Sequence, residues 1–209
     1  MTQGRRRKPA TLKPRLAHAA LCEHRVLGPW VERIGAPRFP RVSLDPFAYL
    51  ARAIVYQQLA GAAAATIHGR FEKVLKGRVT PARVLKAPEG ELRGAGLSRG
   101  KLAAIRDLAE KAPRLGLDEL EWMDDDEVIQ RLTTVRGIGP WTAQMFLMFA
   151  LRRPDVWPGG DLGVRQGYAL IHGVDPAPTE KEMPELGEAY RPWRSAVAWY
   201  CWRALEVDL

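Results

Sequence analysis

The chain has 209 residues, with 32 Lys and Arg against 24 Asp and Glu, a formal net charge of +8 and 46% hydrophobic residues. That length suits one compact domain or two small lobes sharing one core, and the composition argues against global disorder. No run approaches the roughly 18 apolar residues of a membrane span, the basic start has no apolar stretch behind it as a secretory signal would, and two cysteines, Cys22 and Cys201, cannot build a disulfide framework or a four-cysteine zinc or iron–sulfur site.

These exclusions lead to the expectation of a soluble protein in a reducing, intracellular setting. The charge is unevenly spread. Arg5, Arg6, Arg7, Lys8, Lys13 and Arg15 all precede the first acid, Glu23, and the remaining 26 basic residues nearly balance the 24 acids. Residues 1–15 therefore read as a basic, flexible arm, either a nucleic-acid contact or a solubilising tail.

Behind the arm almost every segment carries helical spacing. Apolar positions over 16–34 predict a helix that Pro29 breaks or kinks. Ser43, Leu44, Asp45 and Pro46 offer a cap with proline just after it. The helix that follows places Phe47, Leu50, Ala53, Ile54 and Gln57 three and four apart, and Gly61 punctuates it. An alanine-rich helix over 62–75 ends at Gly77. Thr80 and Pro81 open a short helix through Leu85, and 89–96 forms another short element. Ser98 caps a helix to about residue 112. The acids Asp124 to Glu127 suit the positive end of a helix through Leu132. Helices follow over 141–151, 163–172, 179–188 and 191–206. No alternating run supports a sheet, so the predicted fold is all-α.

The most informative stretch runs from Leu132 to Ala143 and contains Arg136, Gly137, Ile138, Gly139, Pro140, Trp141 and Thr142. It joins two amphipathic helices through two glycines around one isoleucine. The glycines allow close approach of a partner, Ile138 can plug the gap between the helices, and the N–H groups opening the second helix suit a phosphate. This is a helix-hairpin-helix pattern, predicted over about 125–151.

The hairpin string, with Arg153 through Gly163 and its Pro158-Gly159-Gly160-Asp161 core, strongly resembles the helix-hairpin-helix (HhH-GPD) superfamily of DNA glycosylases, and within it the DNA-3-methyladenine glycosylase II (AlkA) type. Three further blocks carry the resemblance: Asp45 through Leu59 with Tyr56, Gln57 and Gln58; Leu92 through Lys101; and Trp193, Arg194 and Ser195 through Trp199 and Tyr200. The match spans nearly the whole chain from about Leu16. It implies two helical lobes with an active-site cleft between them, lobe A from about 16–44 plus 161–209 and lobe B from about 45–160.

The resemblance implies a monofunctional glycosylase of base excision repair. Such an enzyme flips alkylated bases such as 3-methyladenine and 7-methylguanine out of duplex DNA and hydrolyses their N-glycosidic bonds. Asp161 would be the catalytic carboxylate, stabilising positive charge at C1′ and orienting water. By its position ahead of a helix it also reads as an N-cap, and the two roles are compatible. Trp141 stands where bifunctional relatives carry a nucleophilic lysine, so no lyase activity is expected. Trp141, Trp202 and Tyr56 would line the base pocket, where a cationic purine favours electron-rich faces. For Trp193 and Trp199, core packing is the better reading. Gln58, with Leu59 as alternate, would fill the gap left by the flipped nucleotide. Gly137, Gly139 and Thr142 would meet the DNA backbone, as would Arg136, Arg165, Arg99 and Lys101 unless they are solvated surface charge. The backbone carbonyls of Thr133, Val135 and Ile138 would hold a structural Na+ or K+. No catalytic cofactor or iron–sulfur cluster is expected. The expected partner is double-stranded DNA carrying an alkylated base, met by a monomer that spans no membrane and works in the cytoplasm of a prokaryotic-type cell, associated with the nucleoid. Two alternatives stay open: a glycosylase for another damaged or mismatched base, and a non-catalytic DNA-binding module.

Overall fold

The computed structural model describes residues 8–39 and 45–207; Arg5, Arg6 and Arg7 of the arm and the cap candidate Ser43 lie outside them. Among the described residues the fold is all-α, with no strand. No described helix is long and apolar enough to cross a membrane. The contacts divide the chain into two units, Met1–Lys8 with Val42–Phe146, and Pro9–Arg41 with Leu147–Leu209.

In the second unit the expected helix over 16–34 is two helices, α1 (Pro14–Cys22) and α2 (Gly28–Ile34). Pro29 does not kink a continuous helix. It sits in the first turn of α2, where its missing N–H costs no helical bond. His24 closes the turn between them, its Nδ1 accepting the N–H groups of Val26 and Leu27. Gly28 lies so close to the Cys22 carbonyl that a Cβ there would overlap it.

The arm is shorter than expected. Leu12 is buried and its N–H donates to the Arg152 carbonyl at 2.6 Å, and α1 begins at Pro14. Residues 9–15 are thus part of the folded second unit, because Leu12 supplies apolar surface to its core. Lys8 pairs with Glu121 and lies 5.5 Å from the Trp122 ring centroid, both in the first unit.

The first unit contains α3 (Pro46–Tyr56), α4 (Gly61–Val74), α5 (Pro81–Lys86), α6 (Glu89–Gly94), α7 (Arg99–Leu115), α8 (Asp125–Thr133) and α9 (Pro140–Met145). The expected caps form at Asp45, which accepts from Ala48 N–H, and at Ser98, which accepts from Lys101; Thr80 and Asp124 also cap their helices, accepting from Arg83 and Glu127. Leu50, Ile54, Phe71, Val84, Leu92, Ile105, Leu108, Leu120 and Phe146 are fully buried and make its core. Helix α7 runs past the expected end at 112 and stops where Gly116 adopts a left-handed conformation (φ 59°).

Beyond α9 the chain widens into a π-helical turn, Phe146–Ala150, where the sequence spacing predicted an uninterrupted helix. The division between units falls there. Residues 147–160, expected with the middle of the chain, pack instead with the C-terminal helices α10 (Leu162–His172), α11 (Met183–Gly187) and α12 (Arg194–Ala204). The helix expected over 179–188 reduces to the single turn of α11 and a 3-10 turn at Glu188–Tyr190. Tyr200 of α12 ties the two ends of the chain together: its hydroxyl donates to the Gly35 carbonyl at 3.0 Å and meets His18 Nδ1 at 3.1 Å.

Candidate functional site

In the second unit, Asp161 is the N-cap of α10, and its Oδ1 accepts the Val164 N–H at 2.8 Å. The same oxygen accepts Trp202 Nε1–H of α12, also at 2.8 Å. Two donors from two helices fix the direction of one half-buried carboxylate. The Trp202 indole is stacked on Phe149 (6.1 Å between centroids, 25°), which stacks on Phe39 (5.5 Å, 28°).

This arrangement depends on two glycines. A Cβ at Gly163 would come within 2.9 Å of Trp202 Cδ1 and 3.1 Å of Asp161 Oδ1. One turn later, a Cβ at Gly167 would overlap the Cys201 carbonyl. Their spacing of four puts both on one face of α10, and their missing side chains let α12 lie against that helix. Burial, with the nearby Asp161 charge, pushes the Cys201 thiol well above its ordinary range, so it is an inert packing group.

The segment leading to Asp161 is held by residues to which the sequence reading gave no role. Ser195 is fully buried; its Oγ donates to the Arg153 carbonyl at 2.7 Å and accepts the Val156 N–H at 3.0 Å. Arg194 grips Asp155 through Nε–Oδ1 at 2.7 Å and also bonds its backbone carbonyl at 3.0 Å. Trp157 Nε1 donates to the Met183 carbonyl at 2.7 Å. The available signal was the serine inside an otherwise apolar C-terminal run.

In the first unit, α8 and α9 form the hairpin. Gly137 has φ 77°, and a Cβ there would come within 3.1 Å of Ala104 Cβ, so glycine is required on both counts. Ile138 is buried, as its role as a plug demands, whereas Gly139 faces open space. Trp141 is in the first turn of α9 and 48% exposed.

Several expected backbone contacts are altered. The Thr142 side chain is buried and its hydroxyl receives Gln57 Nε2–H at 3.3 Å, so it turns inward rather than toward a phosphate. Gln57 Nε2 also donates to the Gly137 carbonyl at 2.9 Å. Lys101 does not project into solvent; it donates to the carbonyls of Val55 and Gln57. Arg165 is half-buried and reaches toward the Pro178 carbonyl at 3.4 Å. The Arg136 and Arg99 side chains are exposed, as a phosphate contact requires.

Gln58 and Leu59 stand exposed between α3 and α4, Gln58 at φ 54°. A non-glycine residue at positive φ is uncommon, and here it thrusts one glutamine outward while its neighbour Gln57 points in. Tyr56 is different from expectation. The Arg52 guanidinium lies 4.1 Å from its ring centroid and His68 meets it edge-on, so a cation already stands on that ring. A cationic base would gain little there.

The three carbonyls assigned to a cation fit a monovalent ion in their chemistry, being neutral oxygen donors. The Val135 carbonyl accepts the Ile138 N–H at 3.1 Å, which closes the turn and leaves it a second lone pair.

The family model of the HhH-GPD superfamily base excision DNA repair proteins matches residues 51–192. DNA-3-methyladenine glycosylase 1 of Schizosaccharomyces pombe is 36% identical over 169 residues, covering 78% of this chain and 74% of that protein. DNA-3-methyladenine glycosylase 2 of Escherichia coli is 26% identical over 195 residues, 87% of this chain and 66% of that one. Among solved structures, a 3-methyladenine DNA glycosylase of S. pombe in complex with abasic DNA superposes with a TM-score of 0.80 at 32% identity, over 92% of this chain and 98% of that one. A DNA-3-methyladenine glycosidase of Bacillus halodurans gives 0.81 at 33%, over 90% and 88%.

Proposed function

The chain belongs to the HhH-GPD superfamily of base excision DNA repair proteins, and on that premise we propose that it is a monofunctional glycosylase releasing N3- and N7-alkylated purines from duplex DNA. The observation that carries this reading is the Asp161 carboxylate, fixed by Val164 N–H and Trp202 Nε1–H. The names of the relatives supply the substrate class.

Alkylation at a ring nitrogen makes the purine cationic, so the base is already a good leaving group. As the bond from C1′ to the base nitrogen lengthens, its electron pair goes to the base, which becomes neutral, and positive charge grows on the sugar. The Asp161 carboxylate stabilises that charge and accepts a proton from the water whose oxygen bonds to C1′. Because two hydrogen bonds hold the carboxylate beforehand, no reorganisation is needed at the moment of reaction. Trp202 has a second role as an electron-rich face for the cationic base. With Trp141 in place of a lysine, water is the nucleophile and the abasic product is released without strand cleavage.

Gln58, exposed at its turn, is the wedge that fills the vacated stack. The hairpin backbone around Gly137 and Gly139 meets the DNA phosphates, and the carbonyls of Thr133, Val135 and Ile138 would hold a monovalent cation that adds positive charge there. The partner is double-stranded DNA and the protein acts as a monomer.

The test is release of free 3-methyladenine from methylated duplex DNA by the wild type and by Asp161→Asn. The variant should be on the order of a hundred- to a thousandfold slower, with its melting temperature little changed because asparagine is also a good N-cap. No release by the wild type, or equal rates for the two, overturns the proposal.

A further inference from the structure

Helix α7 lies behind both DNA-facing segments of the first unit. In its first turn, Lys101 Nζ donates to the Val55 carbonyl at 2.7 Å and to the Gln57 carbonyl at 2.8 Å. These are carbonyls at the C-terminal end of α3, which the helix itself leaves without partners. Immediately afterwards the chain makes its left-handed turn at Gln58. A side chain in that conformation persists only where its surroundings fix it, and Lys101 holds the residue just before it.

Further along α7, Asp107 Oδ2 accepts the Arg136 N–H of the hairpin at 2.7 Å. Lys111, one turn on, donates to Asp107 at 2.8 Å and to the Thr134 carbonyl at 2.7 Å. The Lys111 ammonium, with the Arg136 N–H, holds the Asp107 carboxyl below the usual carboxylate range. The hairpin turn is thus gripped on both sides by an i,i+4 pair. Gln57 completes the frame: its backbone carbonyl is bound by Lys101 and its amide donates to the Gly137 carbonyl at 2.9 Å.

We propose that α7 is a brace that sets the wedge loop and the hairpin in one fixed register, with Lys101 as the positioning residue for Gln58, and Asp107 and Lys111 as positioning residues for the hairpin turn. None of the three needs to touch DNA. The inference rests on the proposed function in assigning DNA contact to the two loops. Its physical content is separate: side chains on one helix, at rises of roughly 9 and 15 Å from Lys101, fix two backbone segments that are distant in sequence.

The experiment compares single-turnover base release from a duplex in which the methylated base is correctly paired with release from one in which it is mismatched and costs less to flip. Lys101→Met should lower the paired rate by roughly ten- to a hundredfold, the upper figure being the loss that a misplacement of about 1 Å can bring, and the mismatched rate much less. Lys101→Arg should restore most of it. In the Gln58→Ala background, Lys101→Met should add nothing, because it acts through the wedge. Equal losses on both duplexes, or a full additional loss in the double variant, overturn the brace. If Gln58→Ala is inert on the paired duplex, the wedge assignment falls and the Lys101 role with it. The hairpin arm is read by binding alone: Asp107→Asn and Lys111→Met should each weaken affinity for an abasic duplex severalfold. That arm stands even if the wild type releases no alkylated base, and unchanged affinity in both variants overturns it.

Discussion

In the second unit, the segment leading to Asp161 is held by groups largely out of water. Ser195 is fully buried, the Arg194 side chain is 14% exposed, and two glycines of α10 accept the close approach of α12. In the first unit the wedge loop and hairpin are held by a half-exposed network in which Lys111 is 39% and Asp107 24% exposed. On the proposed function, the difference follows from what each part would do. A carboxylate that stabilises a developing charge must not reorganise, so it is set in a closely packed frame. Loops that enter a duplex need positioning without a large store of stability, and polar contacts near water provide that at modest energy. Damage to the first frame should therefore appear as unfolding, and damage to the second as loss of function in a folded protein.

The largest effect that tests this contrast is at the interlock of α10 and α12. Gly167→Val forces a side chain into the Cys201 carbonyl, and overpacking of this kind costs about 1–3 kcal/mol or more. Its melting temperature should fall by several degrees, with base release falling in step with the folded fraction. A stable Gly167→Val protein would show that the helices can separate and that the close frame is not required.

A smaller loss is expected at Ser195. Alanine leaves the Arg153 carbonyl and the Val156 N–H without their buried partner, at a cost of about 1–3 kcal/mol. Chemical denaturation should show this, whereas Lys111→Met should change stability by well under that amount. Similar losses in the two variants would erase the distinction between the units.

The smallest effect concerns pH. Burial holds His172 below the usual histidine range; it stacks on Tyr168 at 4.0 Å and its Nε2 lies 2.6 Å from the Tyr190 hydroxyl. Because the folded pKa lies below the unfolded value, this contribution to stability is complete above about 6.5. It is lost as pH falls through the depressed folded value. Burial depresses His68 in the first unit in the same direction. Melting temperature should therefore decline as pH drops from 7 toward 5, and His172→Gln should flatten part of that decline. An unchanged slope would show that His172 carries none of it.

Much of this was legible beforehand because it depends on short-range rules. The caps Asp45, Thr80, Ser98 and Asp161 each announce a helix by residue type and position, and all four close their cap bonds. The strict glycine at Gly137 follows from the turn itself. Less legible was the fate of polar side chains. Gln57 stood in apolar register on its helix, which was a sign that it points inward, yet its partners in the hairpin are about 80 residues away. Lys101 reads as surface charge until the end of α3 is placed against it. Tyr56 reads as a pocket aromatic until Arg52, one helical turn before it, is seen on its ring.

By itself the sequence determined the helical architecture, the hairpin with its glycines, the place of Asp161 at a helix start, and the family, because each rests on local spacing or on a string of residues with no other common meaning. Only the tertiary structure decided that residues 9–15 fold with the second unit, that 147–160 join the C-terminal helices, and that Thr142, Lys101 and Arg165 turn toward protein rather than solvent. The physical reason is the same in each case. A donor or a buried apolar group goes to whichever partner the folded chain brings within reach, and that partner is fixed by packing between segments far apart in sequence.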